Sequence, residues 1–166
     1  FDTTSVSLSV LNQPLIDVTN PGDQCHTFDL ANLLVQDTST VPGTLSYHST
    51  VPVSATDATN ELASTTVTTA QQVYIRASTV DGCYDVDSVT LGFYPVLSVD
   101  SLIDTTRCPG FATHRFVASG NGGTVLYSWE NGIFQNDPVF ETSVAGTYQA
   151  RVANECDTVS MQVELI

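Results

Sequence analysis

The chain has 166 residues, with eighteen acidic side chains against four arginines and no lysine, for a formal net charge of −14. No basic stripe exists to release counterions from a polyanion, so nucleic acid is excluded as a partner. No apolar run approaches the length of a membrane span, so membrane insertion is not expected; the first residues lack the basic and apolar regions of a signal peptide, which places any leader upstream.

One pattern occurs three times. FDTTSVSL (1–8), YDVDSVTL (84–91) and CDTVSMQV (156–163) each open on an aromatic or Cys followed by Asp. Ser or Thr then alternates with an apolar residue, the period of a half-buried strand. The copies begin 83 and 72 residues apart, which is a domain length. A closing strand that recurs at such intervals marks a tandem array of small sandwiches. Residues 1–14 are then the last strand of a preceding module plus a joint, 15–97 a first module, and 98–166 a second.

In chain order, Pro14 interrupts the ladder and 20–24 is turn chemistry. Residues 26–34 fit either a strand or a short helical turn around Phe28, Leu30 and Leu33. A strand is expected at 44–49, a loop at 51–63 and a weak strand at 64–69. Residues 72–77 alternate Val73, Ile75 and Ala77 against Tyr74 and Arg76, then turn at 79–82 into the closing strand, a hairpin by pattern. In the second module strands are predicted at 112–119, 124–130, 139–142 and 145–150, with Asn131-Gly132 as a hairpin turn. Phe116, Trp129 and Ala150 are expected to pack together in the core.

The four cysteines fall two per module. Pairing Cys25 with Cys83 and Cys108 with Cys156 leaves each module self-contained, and is the predicted connectivity. Each bond would constrain the unfolded chain by roughly 4 kcal/mol, and both imply an oxidising compartment.

From Cys108-Pro-Gly through YSWENG (127–132) and SVAGTYQARV (143–152) to Cys156-Asp, the second module resembles the immunoglobulin-like or PKD-like repeats of very large secreted surface proteins of Bacteroidetes. In the first, YHST (47–50), QQVYIRAS (71–78) and GCYD (82–85) resemble a companion repeat of those proteins. They include gliding-motility adhesins exported by the type IX secretion system. The resemblance implies an all-β chain of two tandem immunoglobulin-like β-sandwiches, each with one intramodule disulfide. It also implies a tyrosine corner at Tyr148, whose hydroxyl returns to nearby backbone.

Little in the chain suggests catalysis. His26, His48 and His114 are scattered and fall in no triad or metal motif, so no enzyme and no cofactor are expected. Calcium is the one metal the pattern admits: Asp81, Asp85 and Asp87 share a hairpin, Asp100 and Asp104 lie at one joint, and Asp17 and Asp23 occupy the analogous region of the first module. A solvated acidic face is the competing explanation. The resemblance to Bacteroidetes proteins further implies O-glycan acceptors at Thr3, Ser88, Ser101, Thr105 and Thr158, each following an Asp. A chain without lysine cannot form the Lys–Asn isopeptide bond found in some bacterial immunoglobulin-like modules.

The expected function is that of stalk repeats in a long extracellular bacterial surface adhesin or gliding filament, spacing and stiffening a distal adhesive region. The partners would be neighbouring modules, with surface polysaccharide or filament self-assembly as further candidates. The alternative is a pair of accessory or binding modules of a secreted enzyme.

Overall fold

In the computed structural model, which describes residues 10–106 and 113–166, the chain divides into two compact units, Phe1–Phe93 and Tyr94–Ile166. The expected strand at 1–8, Thr3, Cys108 and the turn after it lie outside the described residues.

Unit 1 contains β1 (Ile16–Val18), β2 (Asp23–Gln24), β3 (Phe28–Asp29), β4 (Val35–Asp37), β5 (Thr44–His48), β6 (Thr66–Val67), β7 (Gln71–Ser78) and β8 (Tyr84–Phe93). One sheet has the order β2-β8-β7-β5, and the pairs β1-β4 and β3-β6 complete the layers. The alternation read from 72–77 is realised in β7: Val73, Ile75 and Ala77 are wholly buried, and β7 pairs along its full length with β8. Leu30, Leu33, Val67, Val89 and Leu91 close the core around them. Both readings of 26–34 hold, because β3 is followed by a single 3-10 turn, Leu30–Asn32, capped by Asp29.

Arg76 points to the opposite face yet is only 6 % exposed. The segment 51–63 lies over it, held by Arg76 Nη1, which donates to the carbonyls of Ser54 and Asp57. The Asp57 carboxylate in turn accepts from the N–H groups of Val53 and Thr59, both at 2.9 Å. Those amides bring the Asp57 carboxyl down to about 2, the coulombic pull of His48 adding least. The predicted loop is therefore built around its own polar centre.

Unit 2 contains β9 (Ser98–Val99), β10 (His114–Val117), β11 (Gly120–Asn121), β12 (Leu126–Trp129), β13 (Val139–Thr142), β14 (Gly146–Ala153) and β15 (Thr158–Leu165). A sheet of order β12-β14-β15 is accompanied by the pairs β10-β13 and β9-β11. Trp129 sits opposite Ala150 and stacks on Phe140 at 5.2 Å and Phe116 at 6.3 Å between centroids, so the expected core trio is present. Its indole N–H donates to the Pro138 carbonyl at 3.2 Å, satisfying the one polar atom that burial would otherwise strand. The tyrosine corner also forms: Tyr148 donates its hydroxyl to the Val144 carbonyl at 2.6 Å.

The hairpin turn after β12 falls one residue earlier than the Asn-Gly signal. Glu130 and Asn131 carry the positive φ values, 49° and 60°, and Gly132 donates back to Trp129. Tyr127 bridges Gln135 before the chain crosses to β13 on the other sheet.

Candidate functional site: cysteine positions and aspartate straps

The positions of the cysteines follow from strand register. β2 runs parallel to the end of β8, with Asp23 opposite Gly92 and Gln24 opposite Phe93. Cys25 therefore stands at the exit of unit 1. Cys83 stands at the other end of β8, in the turn where Thr79 N–H donates to the Cys83 carbonyl. The ten residues of β8 separate the two by roughly 30 Å at about 3.3 Å per residue. A disulfide needs Cα atoms about 4.4–6.8 Å apart.

The predicted Cys25–Cys83 bond is accordingly absent. Cys83 is a free thiol, whereas Cys25 and Cys156 are both disulfide-bonded. One disulfide closing each module is thus wrong, for a reason the sequence conceals. Two cysteines that bracket a module in sequence can occupy opposite ends of it in space.

Cys156 lies in the turn between β14 and β15. Asn154 Oδ1 accepts from the N–H groups of Cys156 and Asp157, at 3.0 and 2.8 Å. Asn154 Nδ2 donates to the carbonyls of Pro95 and Gly122, at 2.9 and 2.7 Å. This ties the cysteine turn to the segment by which the chain enters unit 2.

Three of the aspartates singled out for calcium, Asp85, Asp87 and Asp104, hold backbone amides. Asp85 accepts from Ile16 N–H at 2.9 Å and Asp87 from Val18 N–H at 2.7 Å. Two carboxylates of β8 thereby strap the open edge of β1, where a strand ladder would otherwise be needed. Asp104 accepts from Glu164 N–H at 2.9 Å, and Asp100 accepts the Ser119 hydroxyl. Asp17, Asp23 and Asp81 are exposed. Among the described residues no three His, Cys, Asp or Glu side chains come together as a metal site.

The sequence-predicted glycan acceptors are dispersed. Ser101 and Thr158 are exposed, and Ser88 and Thr105 are half-buried; Ser88 accepts from Gln72 Nε2 at 3.3 Å. The histidines are not brought together either. His48 is fully buried, with Nδ1 3.5 Å from the Thr59 carbonyl and Nε2 2.9 Å from Ser46 Oγ. A carbonyl only accepts, so Nδ1 carries the proton in that contact. His114 packs edge-on against Phe116, and His26 follows Cys25 with a φ of 60°.

Residues 14–97, just over half of the chain, match the model of the Flavobacterium inter-domain disulphide bond domain. The chain belongs to that family. Outside the match lies most of unit 2, Tyr94–Ile166. A three-immunoglobulin-domain structure of titin superposes with a TM-score of 0.54 at 17 % identity, covering 94 % of this chain and 66 % of that one. Extracellular domains 3–5 of Drosophila OTK give 0.51 at 12 % identity, covering 92 % and 61 %. The chain thus spans under two thirds of these neighbours, and at such identities they establish the immunoglobulin-like fold alone. No curated protein matches it in sequence. Among the described residues no helix is long and apolar enough to cross a membrane.

The sequence reading missed two things in the inter-domain disulphide bond domain: which end each cysteine occupies, and the strapping role of Asp85 and Asp87. The spacing of those two aspartates, two residues apart on one strand face, was the available signal for the second.

Proposed function

We propose that the chain is a pair of consecutive stalk modules in an extracellular bacterial surface protein, fastened across their joint by a disulfide between Cys25 and Cys156. The observation that carries this reading is the oxidation pattern: Cys25 and Cys156 are bonded while Cys83 is free. Each unit taken alone supports it. Cys25 directly follows Gln24, which pairs with Phe93, the last residue of unit 1. The Cys156 turn is hydrogen-bonded to Pro95, the second residue of unit 2. A bond between these two cysteines agrees with the family's description as an inter-domain disulphide bond domain.

The mechanism is fixation of an angle. A single peptide link between two sandwiches leaves them free to swing, whereas a second covalent link a short distance away removes most of that freedom. The bond also closes a loop of well over a hundred residues, limiting the unfolded chain by about 5 kcal/mol on the chain-entropy model. A stalk so built holds a distal region, an adhesive or gliding element of a type IX secretion substrate, at a fixed reach from the cell. O-glycans on Ser101 and Thr158, the exposed acceptors, would keep neighbouring stalks apart.

Antibodies raised against the chain test the reading. They should label intact cells and detect a polypeptide much longer than 166 residues. Labelling that requires permeabilised cells, or a band no larger than the chain itself, would refute it.

A further inference from the structure

The outer face of the β7-β8 hairpin carries a groove that the stalk reading does not use. Register places Tyr74 opposite Ser88, Arg76 opposite Val86 and Ser78 opposite Tyr84. These pairs share the face turned away from Val73, Ile75 and Ala77, which fill the core. Two hollows open on it. One, of about 560 Å³, is lined by Tyr84, Val86, Gln13 and Val51, and the other, of about 180 Å³, by Tyr74, Ser88, Val86 and Val51. Because Val51 and Val86 line both, the hollows are two halves of one groove with a tyrosine in each.

The groove is already formed without a ligand. Residues 51–63 pass over the sheet and are fixed there by Arg76, which holds the Ser54 carbonyl, and by Asp57, which holds the Val53 N–H. Groups held in place beforehand lose little freedom when a ligand arrives. The polar groups are ordered too. The Tyr74 hydroxyl donates to Gln72 Oε1 at 3.1 Å, and Gln72 Nε2 donates to Ser88 Oγ at 3.3 Å. The Ser88 O–H has no acceptor among the described residues. In the larger hollow Gln13 Nε2 is engaged by the Tyr84 carbonyl, which leaves Gln13 Oε1 as an acceptor. Asp85 uses one carboxylate oxygen on Ile16 N–H and keeps the other.

Charge and spacing decide what such a groove can hold. Arg76, the only arginine or lysine of unit 1, is buried with its Nη1 on two carbonyls. A carboxylate, sulfate or phosphate therefore finds no partner here, and the net charge of −14 opposes its approach. Half-buried tyrosine rings beside free hydroxyl, amide and carboxylate oxygens suit a ligand with apolar C–H faces and hydroxyl edges, which describes a sugar. Along the strands Tyr84 stands four residues from Ser88, the partner of Tyr74. That is roughly 13 Å at about 3.3 Å per residue, a span of about three linked pyranose rings.

We infer that this groove binds an uncharged polysaccharide chain, with Tyr74 and Tyr84 each receiving a sugar ring and Gln13, Ser88 and Asp85 its hydroxyls. The inference stands on unit 1 alone, and holds whether or not the chain is part of a stalk.

The test is a titration of the whole isotope-labelled chain, followed by its amide resonances, with cellotriose, xylotriose, mannotriose and maltotriose at millimolar concentration. At least one of them should shift the amides of Tyr74, Val86 and Ser88 to saturation, while the acidic trigalacturonate does not. Tyr74→Ala and Tyr84→Ala should each weaken that binding by about fivefold, the loss of one stacked ring. Gln72→Ala, at an exposed position that leaves the core untouched, should weaken it by about threefold. In all three variants unchanged amide positions for Val73 and Ile75 show that the sheet is intact. Absence of saturable shifts with all four sugars, shifts confined to another face, equal binding of trigalacturonate, or a response of these amides to trilysine alone overturns the inference. Undiminished binding by the folded Tyr74→Ala and Gln72→Ala variants overturns it as well.

Discussion

Replacing Asp87 by alanine removes the acceptor for Val18 N–H and leaves that donor against the sheet without a partner. The bond is short, 2.7 Å, part-buried and charged. Hydrogen bonds to charged groups contribute about 1.5–3 kcal/mol, and the partial exposure here favours the lower half, about 2 kcal/mol. For a domain of this size that lowers the thermal midpoint by about 8–16 °C. Asp87→Asn keeps an oxygen in place but not its charge, and should cost about half as much. Because Asp85 holds the same edge through Ile16, the double alanine variant should cost less than the sum of the singles: once β1 lifts, both bonds are lost together. The two units can be read apart, since the only tryptophan is Trp129, in unit 2. Guanidinium melts followed by tryptophan fluorescence should be unchanged, while the circular-dichroism transition of unit 1 moves to lower denaturant. A shift in unit 1 worth less than about 0.5 kcal/mol at unchanged slope would refute the strap.

Four further outcomes are expected. Melts with and without a chelator should coincide, because Asp85, Asp87 and Asp104 are engaged with amides and among the described residues no three acidic groups come together; a midpoint that falls on chelation would reverse that assignment. Tyr148→Phe deletes the hydroxyl that donates to Val144 and lies 2.9 Å from Thr142 Oγ1, and should lower the stability of unit 2 by about 1–2 kcal/mol in the Trp129 transition. Arg76→Ala leaves two carbonyls of the covering segment without their donor and should cost about 2–4 kcal/mol, with proteolytic cleavage within 51–63 as the local sign. Asp57 is held ionised down to about 2 against an ordinary value of 3.8, so its contribution is present above pH 3.8 and lost as pH falls through 2. Amide exchange of Val53 and Thr59 should accelerate across that window, and Asp57→Asn should abolish the pH dependence.

The legible parts of the fold were those where a strand is long and one face is buried. β7, β13 and β14 could be read from their alternation, and Trp129, Phe116 and Ala150 were identifiable as core. The two-residue strands β2, β9 and β11 are too short to carry a period, and it is β2 that decides the cysteine chemistry. Its parallel register on β8 places Cys25 far from Cys83, and register between distant segments leaves no mark in either one. The turn at Glu130-Asn131 was misplaced by one residue because Asn-Gly is the stronger local signal. The acidic positions were noticed for their charge, but their use as hydrogen-bond acceptors depends on where β1 lies, which only tertiary structure supplies.

The strap on β1 has one more consequence. Ile16 meets Asp85 and Val18 meets Asp87, so the first strand of unit 1 runs in the same direction as its last. In unit 2, Thr105 bridges Leu165 in parallel, next to the Asp104 bond to Glu164. A pull on the two ends of either unit is then directed along both strands in opposite senses. The bonds between them lie across that pull and must yield as a group in shear, rather than peel one after another.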